Sequence, residues 1–172
     1  VRTHSQNIGN KTALVLGDRT QSWSQLYERS MKMANALAAA GVGSQDRIAF
    51  LDKNGIEHFV VLYGAALLNA VSVDVNFRLA APEVEYIVNN SEAKVFIVGP
   101  DFVPILDAIA DNLTTAKTIV VIGGHSKFQS YDTFIDSGKA VDPNTPSAES
   151  DVAFQLYSSG TTGRPKGVML TN

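Results

Sequence analysis

Four short apolar runs, separated by segments with helical spacing, constrain the fold of this chain most. They are Arg47-Ile48-Ala49-Phe50-Leu51, Val71-Ser72-Val73-Asp74-Val75, Val95-Phe96-Ile97-Val98 and Ile119-Val120-Val121-Ile122. Runs this short and this rich in β-branched residues read as strands buried on both faces. Between the first two, Asn54-Gly55 turns the chain into a helix through Phe59, Leu62 and Ala65 to Leu68. Pro82 stands where a helix's first turn tolerates a missing N–H, ahead of Val84, Ile87 and Val88. Ile105, Leu106 and Ile109 mark the helix after the third run. Strands alternating with helices require crossover connections, so the fold class is α/β, a mostly parallel β-sheet flanked by helices. A hydrophobic content of 45% with 18% charged residues fits a packed core.

Upstream, Ala13–Leu16 and Thr20–Trp23 flank Gly17-Asp18-Arg19 and read as a β-hairpin. Ser24 is expected to cap the following helix. Leu26, Tyr27, Met33, Ala34, Leu37 and Ala38 form its apolar face, and Gly41 stops it. Tyr131, Phe134 and Ile135 suggest a short helix. Lys139 to Ser150, with Pro143, Asn144 and Pro146, reads as a surface linker. The expected organisation is an α/β subdomain over 1–138, a linker over 139–150, and a strand, loop and strand over 151–172. The chain starts without Met and stops just past that loop, which reads as a fragment.

Several function classes are excluded or disfavoured. A net charge of −3 argues against nucleic-acid binding. The acidic residues between Asp101 and Asp151 read as a solvated face. With no cysteine there are no disulfides, thiolate metal sites or cysteine nucleophiles. His4, His58 and His125 are scattered without metal-ligand spacing, so no metal site is expected. No G-x-S-x-G elbow occurs, and Gly41-Val42-Gly43 follows a helix where a dinucleotide fingerprint needs a strand. Trp23 and Tyr27 read as packing residues, and Arg78 as one half of a buried structural ion pair, with substrate contact as the lesser alternative. The polar start is no signal peptide. The apolar run Phe59–Leu68 is shorter than the roughly 20 residues of a membrane span.

The chemistry lies in Tyr157-Ser158-Ser159-Gly160-Thr161-Thr162-Gly163-Arg164-Pro165-Lys166-Gly167. A triphosphate needs clustered hydrogen-bond donors and a cation. Gly160, Gly163 and Gly167 permit backbone conformations that aim N–H groups at one point and leave no side chain in the way. Ser158, Ser159, Thr161 and Thr162 add hydroxyls, Lys166 adds a point charge, and Arg164 offers another. This is not a Walker loop, in which Lys is followed by Ser or Thr and then a helix. Here Gly167 and the β-forming Val168-Met169-Leu170 follow, while Val152–Tyr157 precedes as a strand. The loop should therefore join two strands.

This run resembles the signature loop of the adenylate-forming (ANL) superfamily, which contains acyl-CoA synthetases, peptide-synthetase adenylation domains and firefly luciferase. Val75-Asn76-Phe77-Arg78-Leu79, Pro82–Ile87, Ala93–Ile97 and Gly64–Val71 are similar to the fatty-acyl-CoA ligase branch of AMP-binding enzymes. The resemblance implies that a carboxylate attacks the α-phosphate of ATP, and that the thiol of coenzyme A then displaces AMP. It implies phosphate contacts by Ser158, Ser159, Gly160, Thr161, Thr162, Gly163 and Lys166, with electrostatic stabilisation of developing phosphate charge. It also implies that the Mg²⁺-binding acidic motif, the adenine contacts and the catalytic lysine of a C-terminal lid domain lie outside these residues. No catalytic residue is then expected within the chain. One position departs: many relatives place His after the Leu-Thr pair, where this chain has Asn172.

The implied partners are a carboxylic, fatty acid and ATP, with no nucleic acid and no transmembrane segment. Homo-oligomerisation stays open. The implied location is cytoplasmic, or peripheral at a membrane. Two alternatives stay open: an adenylating enzyme that loads an acyl carrier protein, and a non-catalytic domain that binds nucleotide or a partner protein.

Overall fold

Ile48 and Phe50 pack into one apolar cluster while Ala49 and Leu51, on the same strand, pack into another. Val95 and Ile97 divide from Phe96 and Val98 in the same way. Side chains alternate across a strand, so a strand apolar at every position needs cover on both faces. The helices supply it.

The computed structural model describes residues 1–158 and 164–172. Helix α1 (Arg2–Ile8) precedes an antiparallel ribbon of β1 (Thr12–Leu16) and β2 (Arg19–Ser22). Then follow α2 (Trp23–Ala39), β3 (Arg47–Leu51), α3 (Ile56–Leu67), β4 (Val71–Asp74), α4 (Ala81–Asn90), β5 (Val95–Val98), α5 (Val103–Ile109) and β6 (Thr118–Val121). β7 (Gln129–Ser130), α6 (Tyr131–Asp136), β8 (Val152–Ser158) and β9 (Lys166–Thr171) complete the order. The main sheet runs β7-β6-β5-β3-β4-β8-β9. Its described pairs are parallel except β8 with β9. α2, α3 and α6 contribute to the first cluster, and α4 and α5 to the second. The expected mostly parallel, helix-flanked α/β sheet is what the chain forms.

Local chemistry sets the boundaries. Ser22, not Ser24, caps α2: its hydroxyl accepts from the Gln25 N–H at 3.2 Å, and the Gln25 side chain accepts from the Ser22 N–H at 2.8 Å. This reciprocal box satisfies orphan donors at both ends of the first turn, which Ser24, already inside the helix, cannot do. Trp23 accordingly opens the helix and is not in the hairpin. Gly41 takes φ +86° after the helix end, and the Val42 N–H returns to the Leu37 carbonyl at 3.0 Å. At the end of α3 the same left-handed position falls on Asn69, φ +54°. Its side-chain amide reaches Ser44 Oγ and Asp151 Oδ2, both at 2.9 Å.

The structure adds to the sequence reading at three places. The polar start forms α1, whose alternation is too weak to read as a helix. Arg78 is exposed and forms no ion pair among the described residues; its guanidinium stacks over the Phe77 ring, 5.0 Å from the centroid. The acidic stretch is largely solvated, with Asp101, Asp107, Asp111, Asp132, Asp136 and Glu149 exposed, but some of its carboxylates are paired. Asp142 is held by Arg2 and Tyr27, Asp107 meets His125, and Asp101 meets Lys53.

Candidate nucleotide site

Val152 to Ser158 and Lys166 to Thr171 pair antiparallel, with Tyr157 opposite Gly167 and Ser158 opposite Lys166. The glycine-rich segment therefore joins two strands, as the β-formers after Lys166 require. Ser158 and Lys166 stand at its neck, both exposed. No described carboxylate lies within ion-pair distance of Lys166. Its ammonium therefore carries no described counter-charge. Ser159, Gly160, Thr161, Thr162 and Gly163 lie outside the described residues.

Side-chain amides support the stem on the sheet. Gln45 accepts from the Val152 N–H at 2.9 Å and donates to the Val152 carbonyl at 3.2 Å. It thus stands in for a neighbouring strand where β8 begins. Gln155 is 8% exposed, with its Oε1 accepting from Arg47 Nε at 3.3 Å and its Nε2 donating to the Tyr157 hydroxyl at 3.0 Å. That hydroxyl in turn donates to Asn90 Oδ1 at 2.8 Å. Partial burial pushes the Tyr157 phenol above its ordinary pKa, although the Gln155 hydrogen bond pulls the other way. It is therefore a neutral donor at pH 7.

Gly167 has a role the sequence reading missed. Its φ is not in the left-handed region. What it provides is space: a Cβ there would meet Gln155 Nε2 at 2.7 Å and the Tyr157 ring at 3.3 Å. Arg164 also departs from expectation. Its guanidinium lies 5.6 Å from the centroid of Tyr86, stacked against α4. Arg164, Pro165, Glu83, Glu85, Tyr86 and Asn90 line a cleft of roughly 580 Å³. Two carboxylates in that cleft make it a poor place for phosphate. It is the seam between α4 and the stem.

Tyr86, Asn90 and Gln155 escaped the sequence reading. One signal was available: Gln155 and Tyr157 are two apart on a strand and so share a face. Asn90 carried no such signal, because its contact comes from another element.

Among the described residues no three His, Asp or Glu side chains converge to hold a metal ion. Asn172, at the departing position, donates to the Ala148 carbonyl at 3.0 Å. With Leu62, Tyr63, Ala66 and Phe154 it lines a second, mostly apolar cavity of roughly 340 Å³. No helix among the described residues is long and apolar enough to cross a membrane.

A doubly wound sheet that ends in a strand–loop–strand element, with a serine and a lysine at its neck, defines the class: an adenylate-forming domain of the N-terminal type. The chain matches the AMP-binding enzyme family over residues 1–172 and belongs to it. It is 34% identical over 170 residues to the fatty acid–[acyl-carrier-protein] ligase ScoC of Streptomyces coeruleorubidus, covering 98% of this chain and 31% of that protein. It is 37% identical over 156 residues to the long-chain-fatty-acid–CoA ligase FadD13 of Mycobacterium tuberculosis, covering 90% of this chain and 30% of that one. The anthranilate CoA ligase AuaEII, solved in complex with anthranoyl-AMP, superposes with a TM-score of 0.92 at 31% identity. That match covers 98% of this chain and 33% of AuaEII. The chain thus spans about a third of the length of these relatives.

Proposed function

We propose that the full-length enzyme activates a carboxylic acid with ATP, releasing pyrophosphate, and passes the acyl group from the adenylate to a thiol. The observation that carries this reading is the neck of the β8–β9 hairpin, where Ser158 faces Lys166 across a glycine-, serine- and threonine-rich loop. In this reading Ser158, Ser159, Gly160, Thr161, Thr162, Gly163 and Lys166 hold the β- and γ-phosphates. Their contribution is electrostatic, strengthening as charge develops on the leaving pyrophosphate. Mg²⁺ would share that neutralisation, and in this reading the catalytic lysine is supplied by a C-terminal lid domain of the full-length enzyme. The enzyme is proposed to be cytoplasmic.

A fatty acid is the proposed substrate, supported by the identity to FadD13 and ScoC. The similarity to an anthranilate ligase makes an aryl acid the competing class. Coenzyme A is the proposed acceptor, and the identity to ScoC favours a carrier protein as the second reading.

The test is pyrophosphate release by the full-length enzyme across matched fatty and aryl acids, followed by acyl transfer to coenzyme A or to an acyl carrier protein. Acid-dependent pyrophosphate release is the expected result. ATP turnover indifferent to every carboxylic acid would sink the adenylation reading. Preference for aryl acids, or for the carrier protein, would overturn the corresponding finer assignment alone.

A further inference from the structure

The distal part of the β8–β9 hairpin is a cantilever. Among the described residues, β8 registers with β4 at the single pair Ser72 and Phe154, and Gln45 holds only its start. Beyond Phe154 no further backbone register with β4 is described: the sheet reaches the stem through Arg47, which donates to Gln155 at 3.3 Å and approaches Met169 Sδ at 4.0 Å, and past Gln155 the ribbon relies on its own two strands, which alone are marginally stable. Two contacts tie this stretch to α4, one on each side of the loop. On the β8 side Tyr157 donates to Asn90 at 2.8 Å. On the β9 side Arg164 stacks on Tyr86. The Tyr157 hydroxyl is itself oriented by Gln155, and its ring occupies the space that Gly167 leaves open.

We propose that Tyr157 and Asn90 are positioning residues for the neck of the β8–β9 hairpin: their hydrogen bond sets the angle at which Ser158 and Lys166 meet the nucleotide. The proposal rests on the reading that this loop binds the triphosphate. Neither residue touches a reacting atom. Asn90 is exposed at the end of α4, so its loss leaves both apolar clusters intact. A neck held at the wrong angle must be reoriented on binding, and that cost appears in nucleotide affinity.

The test compares Tyr157→Phe, Asn90→Ala and the double variant with Lys166→Ala in the full-length enzyme. Pyrophosphate release is measured with an acid that turns over, MgATP binding by calorimetry, and trypsin cleavage after Lys166 without nucleotide. Each single variant should raise the KM and Kd for MgATP about two- to tenfold. The KM for the acid should not change, and cleavage after Lys166 should quicken. The double variant should be no worse than the worse single, because both remove one interaction. A lower kcat and melting temperature with both KM values unchanged would assign the pair a merely structural role and overturn the proposal. Multiplying effects in the double variant would overturn it too. If Lys166→Ala weakens MgATP but Tyr157→Phe does not, the positioning role fails and the phosphate reading stands. If Lys166→Ala has no effect either, the phosphate reading fails first.

Discussion

Arg2 meets Asp142 across 140 positions of sequence, with its Nη2 donating to one carboxylate oxygen at 2.7 Å. Its Nε and the Tyr27 hydroxyl both donate to the other oxygen. The Asn144 N–H adds a further bond at 2.8 Å, and the Asn35 amide donates to the carbonyls of Lys139 and Val141 at 2.9 and 2.7 Å. The segment that leads to β8 is thereby pinned to α1 and α2.

Arg2 holds the Asp142 carboxyl well below the usual carboxylate range, outweighing its partial burial. A depressed folded-state pKa contributes stability above the unfolded value, near pH ~3.9, and loses it as pH falls through the folded value. Arg2 is partly exposed, which screens the pair. Asp142→Asn should therefore cost about 1 kcal/mol at neutral pH. In urea titrations the gap between variant and parent should be full at neutral pH and shrink in the acid range below ~4. A gap that stays the same throughout would show that charge is not the cause.

Gly64 lets α2 and α3 approach closely. A Cβ added there would meet Met33 Cγ at 2.6 Å, Met33 Cβ at 2.9 Å and the Ala34 backbone nitrogen at 3.3 Å. Two of these atoms are fixed to the backbone of α2 and cannot swing aside. Gly64→Ala should destabilise by about 1–3 kcal/mol through overpacking, despite the better helix propensity of alanine. An unchanged or higher unfolding midpoint would contradict this account of the contact.

Gly167→Ala tests space against backbone freedom. Its φ needs no glycine, so the cost should come from displacing Gln155 and Tyr157. Gln155 Nε2 is the end of a flexible side chain, so the fold should lose no more than about 1 kcal/mol. The Tyr157 hydroxyl should lose its link to Asn90. In the full-length enzyme the variant should raise the KM for MgATP as Tyr157→Phe does, and adding Gly167→Ala to Tyr157→Phe should change little more.

Lys166→Ala should weaken adenylation more than it disturbs folding, because the side chain is exposed and has no described carboxylate partner. ATP–pyrophosphate exchange in the full-length enzyme is the measurement. Loss of one charge-assisted contact to phosphate corresponds to about 1.5–3 kcal/mol, roughly ten- to a hundredfold. Unchanged exchange would remove Lys166 from the phosphate site.

The inner strands β3 to β6 are legible because they are short and mostly apolar, whereas β7, Gln129–Ser130, is two polar residues and carries no such signal. Val95–Val98 was placed at its observed bounds, and Pro82 correctly marked the first turn of α4. The helix that opens at Trp23 was placed one turn feature late, because Ser22 and Ser24 are chemically alike and only the reciprocal bond with Gln25 separates them. α1 was missed because it buries none of its residues fully, so no apolar stripe marks it.

The amino-acid sequence alone determined the α/β class, the pairing of two strands on either side of the glycine-rich segment, and the concentration of glycine, hydroxyl and lysine residues between Ser158 and Lys166 on which the proposed phosphate role rests. Those properties reside in local patterns: a period of two or 3.6, a glycine spacing, and β-formers after a lysine. The tertiary structure alone decided that Tyr157 bonds to Asn90, that Arg164 rests on Tyr86, and that Arg2 holds Asp142. Each of those pairs joins elements distant in sequence. Their partners are chosen by how the helices and strands pack, a relation that no local window of residues contains.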